Sequence, residues 1–494
     1  MLCVIPPAFG PEEGCRQQEK CVISCPCLEK STSRDILICQ TEIKEGEMIV
    51  PYIANTESDR AEMLKAAGFS SLEDMWEKAG VRFPYPALEG IPEGKSEYEV
   101  VRHLEHLANM NATDLINFVG GGYYDHVIPS VVDSIVSRGE FYTAYTPYQP
   151  EASQGTLQAI YEYQTAMCRL TGMEVSNASL YDGGTALFEA MMMSVKITGR
   201  RQVVISGAVS PIFRRMIECY CSNLDVERVE VGAGAGTDSN LENLKRAVNE
   251  NTACVIVQYP NFFGEIEDLS SVAASAHANG ALAVCSTYPI ALSVLKTPGE
   301  MGFDIVTGEG QSLGIPLSFG GPYLGFMTVR SKYMRKMPGR IVGRTKDLDG
   351  RDGFVLTLQT REQHIRREHA TSNICSNESL CALSALIYLT AVGKQGFVDI
   401  GNLCMSKAVF ARNELLKIKG VEPVGSGVFF NEFVIQVPCD SSELAGKLID
   451  KGFAAGFPLG RYYADRRDQM LIAVTEKRTK EEIKALANAM EALL

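Results

Sequence analysis

The sequence predicts an α/β fold with a mainly parallel sheet, followed by a smaller α+β region at the C-terminus. Three observations lead there. Short β-branched runs alternate with helical ones through the middle of the chain, the strand runs are apolar without interruption, and the pattern changes after about Leu380. Uninterrupted apolar strands imply a sheet buried on both faces, which needs helices on each side. At 494 residues the chain exceeds what one hydrophobic core sustains, so more than one domain is expected.

The elements follow in order. Residues 1–47 hold six of the 15 cysteines, Cys3, Cys15, Cys21, Cys25, Cys27 and Cys39, with a single C-x-C and no second pair at zinc-ribbon spacing. No histidine precedes His103, so no metal centre is expected. This Cys-rich leader reads as disordered or as a start-site extension ahead of Met48. Residues 48–110 read as a helical arm without its own core. Asn55 or Thr56 caps a helix that closes at Gly68, and Ser70 or Ser71 caps a second one through Trp76. V-R-F-P-Y-P (81–86) is extended because each proline disfavours helix before it, and a third helix covers roughly Tyr98 to Met110.

The large α/β domain is assigned to 111–345. Its expected strands are 203–206, 226–231, 253–258, 281–285, 304–307 and 325–329, with helices over 211–221, 239–249, 268–278 and 287–295 between them. The region 346–494 is the smaller α+β domain, with a long helix from about Leu380, strands at 433–437 and 470–474, and a final helix over 480–493.

Composition narrows the function. Lys+Arg is 47 against Asp+Glu 60, a net charge of −13 that leaves no basic surplus for nucleic acid. The apolar run from Leu380 to Val392 is shorter than a bilayer requires, and no signal peptide precedes the chain, so no membrane is expected and the compartment is read as cytoplasmic. The cysteines beyond the leader read as reduced, buried thiols.

Three segments carry polar groups in positions suited to chemistry. F-V-G-G-G-Y-Y-D-H (118–126) lacks the spacing of a dinucleotide fingerprint. D-G-G-T-A-L-F-E-A (182–190) puts two glycines ahead of a helix, so the Gly184 and Thr185 amides could face a phosphate, or the glycines could simply permit a tight turn. In T-P-Y-Q-P-E-A-S-Q-G (146–155) prolines fix the backbone around Tyr148 and Gln149; a binding loop and an interface loop would look alike.

F-V-G-G-G-Y-Y-D-H-V-I-P (118–129) and Y-T-P-Y-Q-P-E-A-S-Q-G (145–155), with Q-S-L-G-I-P-L-S-F-G-G-P-Y-L-G (311–325), resemble the N-terminal half of the glycine cleavage system P protein over about residues 50–494. The resemblance implies an aspartate-aminotransferase-like scaffold of pyridoxal-phosphate (PLP) fold type I. It also implies a two-chain glycine decarboxylase, an aminomethyl-transferring glycine dehydrogenase. That enzyme releases CO2 and passes the aminomethyl group to the lipoyl arm of the H protein.

Such a site needs a lysine after a late strand, an acid opposite the pyridine nitrogen and a group stacked on the ring. The resemblance places Ser312 at the lysine position and Ser286 at the acid position, while Thr185 and Ala186 fall where the catalytic half carries a stacking histidine. No lysine occurs from Thr297 to Ser331. Lys296, read at the end of a predicted helix, is a helix-dipole cation and not a substitute. The expectation is therefore no cofactor-binding residue and no metal in this chain, with PLP carried by the partner, glycine dehydrogenase subunit 2.

Candidates for a site shared with that partner are Asn117, Tyr123, Tyr124, His126, Tyr145, Thr146, Tyr148, Gln149, Glu151 and Ser153. The basic segments 335–344 and 360–369, the second read as a charged helix, could hold acidic groups of the partner or of the H protein. The alternatives are a self-sufficient PLP enzyme on the same fold and a purely structural scaffold.

Overall fold

A computed structural model describes residues 55–81, 90–92, 94–233 and 239–494. The Cys-rich leader assigned to 1–47 and most of the extended 81–86 run lie outside the described residues. The chain divides into two units, one ending at Arg102 and the other running from His103 to Leu494.

The helices Glu57–Ala66, Leu72–Lys78 and Glu97–Asn109 fall where capping and periodicity place them. Thr56 closes a capping box with Asp59, and Ser71 accepts from the Asp74 amide. None of their residues is buried, and Tyr98, Val101, Leu104 and Leu107 stand exposed along one side of the third.

The second unit is built on a seven-stranded sheet. In chain order its strands are Val175–Ser176 (β1), Gln202–Ser206 (β2), Glu227–Val231 (β3), Thr252–Tyr259 (β4), Leu282–Thr287 (β5), Ile305–Glu309 (β6) and Gly325–Val329 (β7). They lie in the order β1-β7-β6-β5-β4-β2-β3, with β7 antiparallel to both neighbours and the others parallel. From Ala253 to Val257 every side chain of β4 is fully buried, as the unbroken apolar run requires. One face packs on the helices Gly183–Thr198 and Pro211–Tyr220, and the other on Ser270–Ala278.

A four-stranded antiparallel sheet holds Glu422–Val424, Glu432–Gln436, Gln469–Ala473 and Phe457–Pro458. It is backed by Ser441–Ile449, Lys480–Glu491 and the end of a long helix, Ser379–Leu415. By length and composition alone that helix could cross a membrane. Its buried Cys381, Ala382, Ala385 and Tyr388 instead share a core with Tyr163, Leu313 and Phe326, and Gly393 (φ 62°, ψ 179°) breaks it midway. Here the register of small and large side chains serves a protein core.

Several elements differ from expectation, among them the helix Gln154–Thr171 and the strand Val175–Ser176, which the sequence pattern did not announce. The 287–295 helix is a 3-10 turn, Pro289–Ser293, so Lys296 does not end a helix; it lies 3.4 Å from the Ser270 hydroxyl. The 360–369 helix is one four-residue turn, Gln363–Arg366, flanked by 3-10 turns and broken at Arg367 (φ 52°). The hairpin of Ile341–Lys346 with Asp352–Thr357 carries charge on its exposed half and has no clean alternation to announce it.

Candidate functional site

The glycine-rich loop is anchored before it begins. Ile116–Asn117 pairs parallel with Phe453–Ala454, and Phe118 exchanges backbone bonds with Ala454 and Ala473. Asn117 turns its side-chain oxygen onto the Val119 amide at 2.9 Å, starting the loop. Two carboxylates from the C-terminal sheet region then hold it. Glu432 accepts from the Gly121 amide and the Tyr124 hydroxyl, both at 2.7 Å. Glu476 accepts from the Val127 amide at 2.7 Å and pairs with His126 Nδ1 at 2.7 Å. Gly120 must be glycine, because a Cβ there would collide with the Glu432 carboxylate and with Ala473.

The far side of the loop meets β5 and β6. His126 Nε2 bonds the Tyr288 hydroxyl, and the Tyr124 ring lies 4.3 Å from that of Tyr288. Gln311 bridges the Tyr124 backbone, accepting from its amide at 2.9 Å and donating to its carbonyl at 3.1 Å. Tyr123 stacks on Tyr323 with ring centroids 4.6 Å apart. The loop therefore lies across the carboxyl ends of the parallel strands, where open α/β sheets bind ligands.

The electrostatics are those of a buried polar network. Burial pushes the Glu432 carboxyl up to about 7 against the opposing bonds from Gly121 and Tyr124. Burial also opposes ionisation of Glu476, but His126 and the Val127 amide outweigh it and hold that carboxyl below its ordinary value. Donor atoms of His126, Cys404 and Glu476 lie within 4.8 Å of one another, a spacing a metal could use. Each is already engaged: the Cys404 thiol, pushed well up by burial and by Glu476, lies 3.4 Å from that carboxylate. This is a closed hydrogen-bonded cluster.

The second loop gathers other candidates. Tyr148 places its ring under the Arg340 guanidinium, 4.8 Å from its centroid, and its hydroxyl accepts from Nη2 at 2.9 Å. His364 meets the same ring edge-on at 6.3 Å, so the loop joins the two basic segments. Thr146 bonds the Ser376 hydroxyl at 3.3 Å. Tyr145, Gln149 and Glu151 are exposed, and Ser153 stands at the N-cap of Gln154–Thr171 without a side-chain cap bond. Helix Gln154–Thr171 starts directly after the loop, and the Gln154 side-chain amide donates to the Pro150 carbonyl at 2.7 Å and the Phe354 carbonyl at 2.9 Å, fixing the loop's trailing end.

The resemblance sets Ser286 and Ser312 where a cofactor would be held. Ser286 lies buried near the end of β5. Ser312 follows β6 by three residues, buried, with a hydroxyl that has no hydrogen-bond partner. Neither supplies an amine or a carboxylate. Two amides at the start of Gly183–Thr198, those of Gly183 and Thr185, are also taken. Asp182 accepts from the Thr185 amide at 2.7 Å, and Glu309 from the Gly183 amide at 2.9 Å. The Glu309 carboxylate also accepts from Gln311 and Leu324 amides, each at 3.0 Å, and burial pushes it up to about 7. A phosphate would find two of its donors used and two acids beside it. These residues do not fit pyridoxal phosphate.

The sequence did not single out Glu432, Glu476 or Glu309, and it marked Gln311 and Arg340 only as members of the 311–325 and 335–344 segments. The one available signal is an acid set directly against an apolar strand, as in T-G-E (307–309) and N-E-F-V-I (431–435).

Fold and site together define a class: an aspartate-aminotransferase-like scaffold with no lysine between β6 and β7. The comparisons with known proteins give the family. Residues 50–490 match the glycine cleavage system P-protein family, and the chain belongs to that family. It is 54% identical over 443 residues to the "probable glycine dehydrogenase (decarboxylating) subunit 1" of Geotalea daltonii, covering 90% of this chain and 100% of that protein. A protein of the same description from Nitratidesulfovibrio vulgaris is 51% identical over 445 residues, with the same coverage. A crystal structure of glycine decarboxylase (P-protein) of the glycine cleavage system, in inhibitor-bound form, superposes with a TM-score of 0.84 at 40% identity, covering 90% of this chain and all of that one. A sphingosine-1-phosphate lyase from Burkholderia pseudomallei, at 11% identity and a TM-score of 0.61, shares the fold alone.

Proposed function

We propose that this chain is the subunit of a two-chain glycine decarboxylase that does not hold the cofactor and that completes a site shared with a PLP-bearing companion, glycine dehydrogenase subunit 2. The observation that carries this reading is the buried, unpartnered Ser312 hydroxyl at the lysine position, beside amides already occupied by Asp182 and Glu309. The assembled enzyme decarboxylates glycine and passes the aminomethyl group to the lipoyl arm of the H protein, in the cytoplasm. Within it, residues 48–110 act as an arm, 111–345 as the large domain and 346–494 as the small one.

This chain's part is to bind and to shape. The 118–127 loop offers the part-buried Tyr123, while Asn117, Tyr124 and His126 hold the loop in shape from within. The 143–153 loop, carrying Tyr145, Thr146, Tyr148, Gln149, Glu151 and Ser153, lends its exposed side chains to the companion's site or to the path of the lipoyl arm. Absorbance of a PLP Schiff base tests the first claim. The chain alone gives no such band; with the companion and H protein present, the band and glycine-dependent CO2 exchange both occur. A band from this chain alone would restore the self-sufficient enzyme. Alanine at Tyr145 and Gln149 separates participant from scaffold, since neither side chain is buried: turnover falls while assembly stays intact. Unchanged turnover would leave only a scaffold.

A further inference from the structure

Arg340 is the most deeply buried cation among the described residues, at 2% exposure. Its Nη2 donates to the Tyr148 hydroxyl at 2.9 Å and to the Cys375 carbonyl at 2.5 Å. Nε and Nη1 have no partner, and among the described residues no carboxylate pairs with it. The contrast with Arg361 is informative. That side chain, also largely withdrawn from water, spends its donors on the Leu358, Met337 and Gly339 carbonyls. Arg340 has no such provision. A guanidinium taken out of water with two nitrogens unfilled and no counter-charge is an unfavourable arrangement in an isolated chain, and it calls for an anion from elsewhere.

The surroundings indicate where that anion comes from. The cover over Arg340 is Tyr148, 47% exposed, on the loop that also projects Tyr145 at 86% exposure; Tyr142 just before it is 69% exposed. A buried arginine capped by a half-exposed tyrosine, on a stretch of chain that carries two more exposed tyrosines, has the composition of a protein interface. The chain carries a net charge of −13, so a local buried cation is what would draw an acidic group to this face.

We propose that Arg340 is the receptor for a carboxylate side chain of the companion subunit, which enters beside Tyr148 and takes the unfilled donors. This rests on the reading of the chain as one half of a two-chain enzyme. It adds a residue of the 335–344 segment with one role and one ligand chemistry.

The test uses the full chain and its purified companion, with R340Q and R340K. Because the charge lacks an internal partner, R340Q leaves the thermal midpoint of the isolated chain unchanged or raised. In the same variant the subunit Kd rises by about 30-fold or more, the effect expected of truncating one member of a buried charge pair. The salt dependence of pairing falls with it. R340K keeps the charge but not the planar fork, and falls between. A lowered midpoint for isolated R340Q with an unaltered Kd would overturn the proposal, since the charge would then serve an internal partner. It is equally overturned if acetate raises the wild-type midpoint, does not raise that of R340Q, and the Kd is unchanged; the site would then take a free small carboxylate. Failure of the wild-type chains to pair removes the two-chain reading and this inference together. Normal pairing that is insensitive to both variants removes only this inference.

Discussion

Glu432 and Glu476 hold one loop by opposite electrostatic strategies, and a pH series separates them. Glu432 is an acid whose folded value, about 7, lies above its ordinary 4.5. The folded state binds its proton more tightly than the unfolded chain does, so its contribution worsens as pH rises from 4.5 through 7. Glutamine mimics the protonated form. The stability of E432Q relative to wild type therefore improves between pH 5 and 8, by on the order of 3 kcal/mol. Denaturant unfolding at both pH values reads this directly; a flat difference would mean that Glu432 is ionised throughout. Glu476 runs the other way. Its depressed value contributes stability that is present above 4.5 and is lost as pH falls through the folded value. E476Q should cost about 3 kcal/mol at neutral pH, because His126 loses its buried partner, and the gap should close as the solution is acidified. Circular dichroism melts at pH 7 and pH 4 check it.

Among the elements, the central strands of the large sheet were legible because Gln202–Ser206, Thr252–Tyr259 and Leu282–Thr287 are runs of mostly buried residues; the two-residue β1, Val175–Ser176, was too short to show a pattern. The 3-10 turn at Pro289–Ser293 was not legible either, since a helix and a turn share the same short apolar pattern and only tertiary packing decides between them. The candidate loops were legible as rigid, glycine- or proline-marked segments. Their anchors were not, because Glu432 and Glu476 stand more than 300 residues away from the groups they hold, and local sequence carries no trace of such a pairing. Serines 286 and 312 became visible only through resemblance. The helix start at Gly183 carries its own prediction. Supplying the acid and the lysine at the positions the resemblance assigns to them, with S286D and S312K together, should still give no Schiff-base absorbance, because the Gly183 and Thr185 amides remain bonded to Glu309 and Asp182. A band from that double variant would show that the two carboxylates yield easily to a phosphate.

For the whole molecule, the expected gain lies in assembly. A partner that binds only the folded chain stabilises it by mass action, about 3 kcal/mol at a hundredfold excess over Kd. Adding the companion should raise the unfolding midpoint of this chain in a concentration-dependent way, seen by scanning calorimetry. A midpoint indifferent to the companion would mean that the two do not associate. The molecule divides its labour by region: a large sheet whose strand ends carry the glycine-rich loop, and a C-terminal sheet region whose acids hold that loop in place.

The carboxylates lodged at the start of Gly183–Thr198 also have an evolutionary meaning. A lone lysine at position 312 would meet no phosphate anchor, and removing Glu309 alone would strand three backbone amides in the interior. Each step back toward a cofactor is a loss unless the others accompany it. The arrangement resists reversal by single changes, because the internal acids and the amides they hold are satisfied only together.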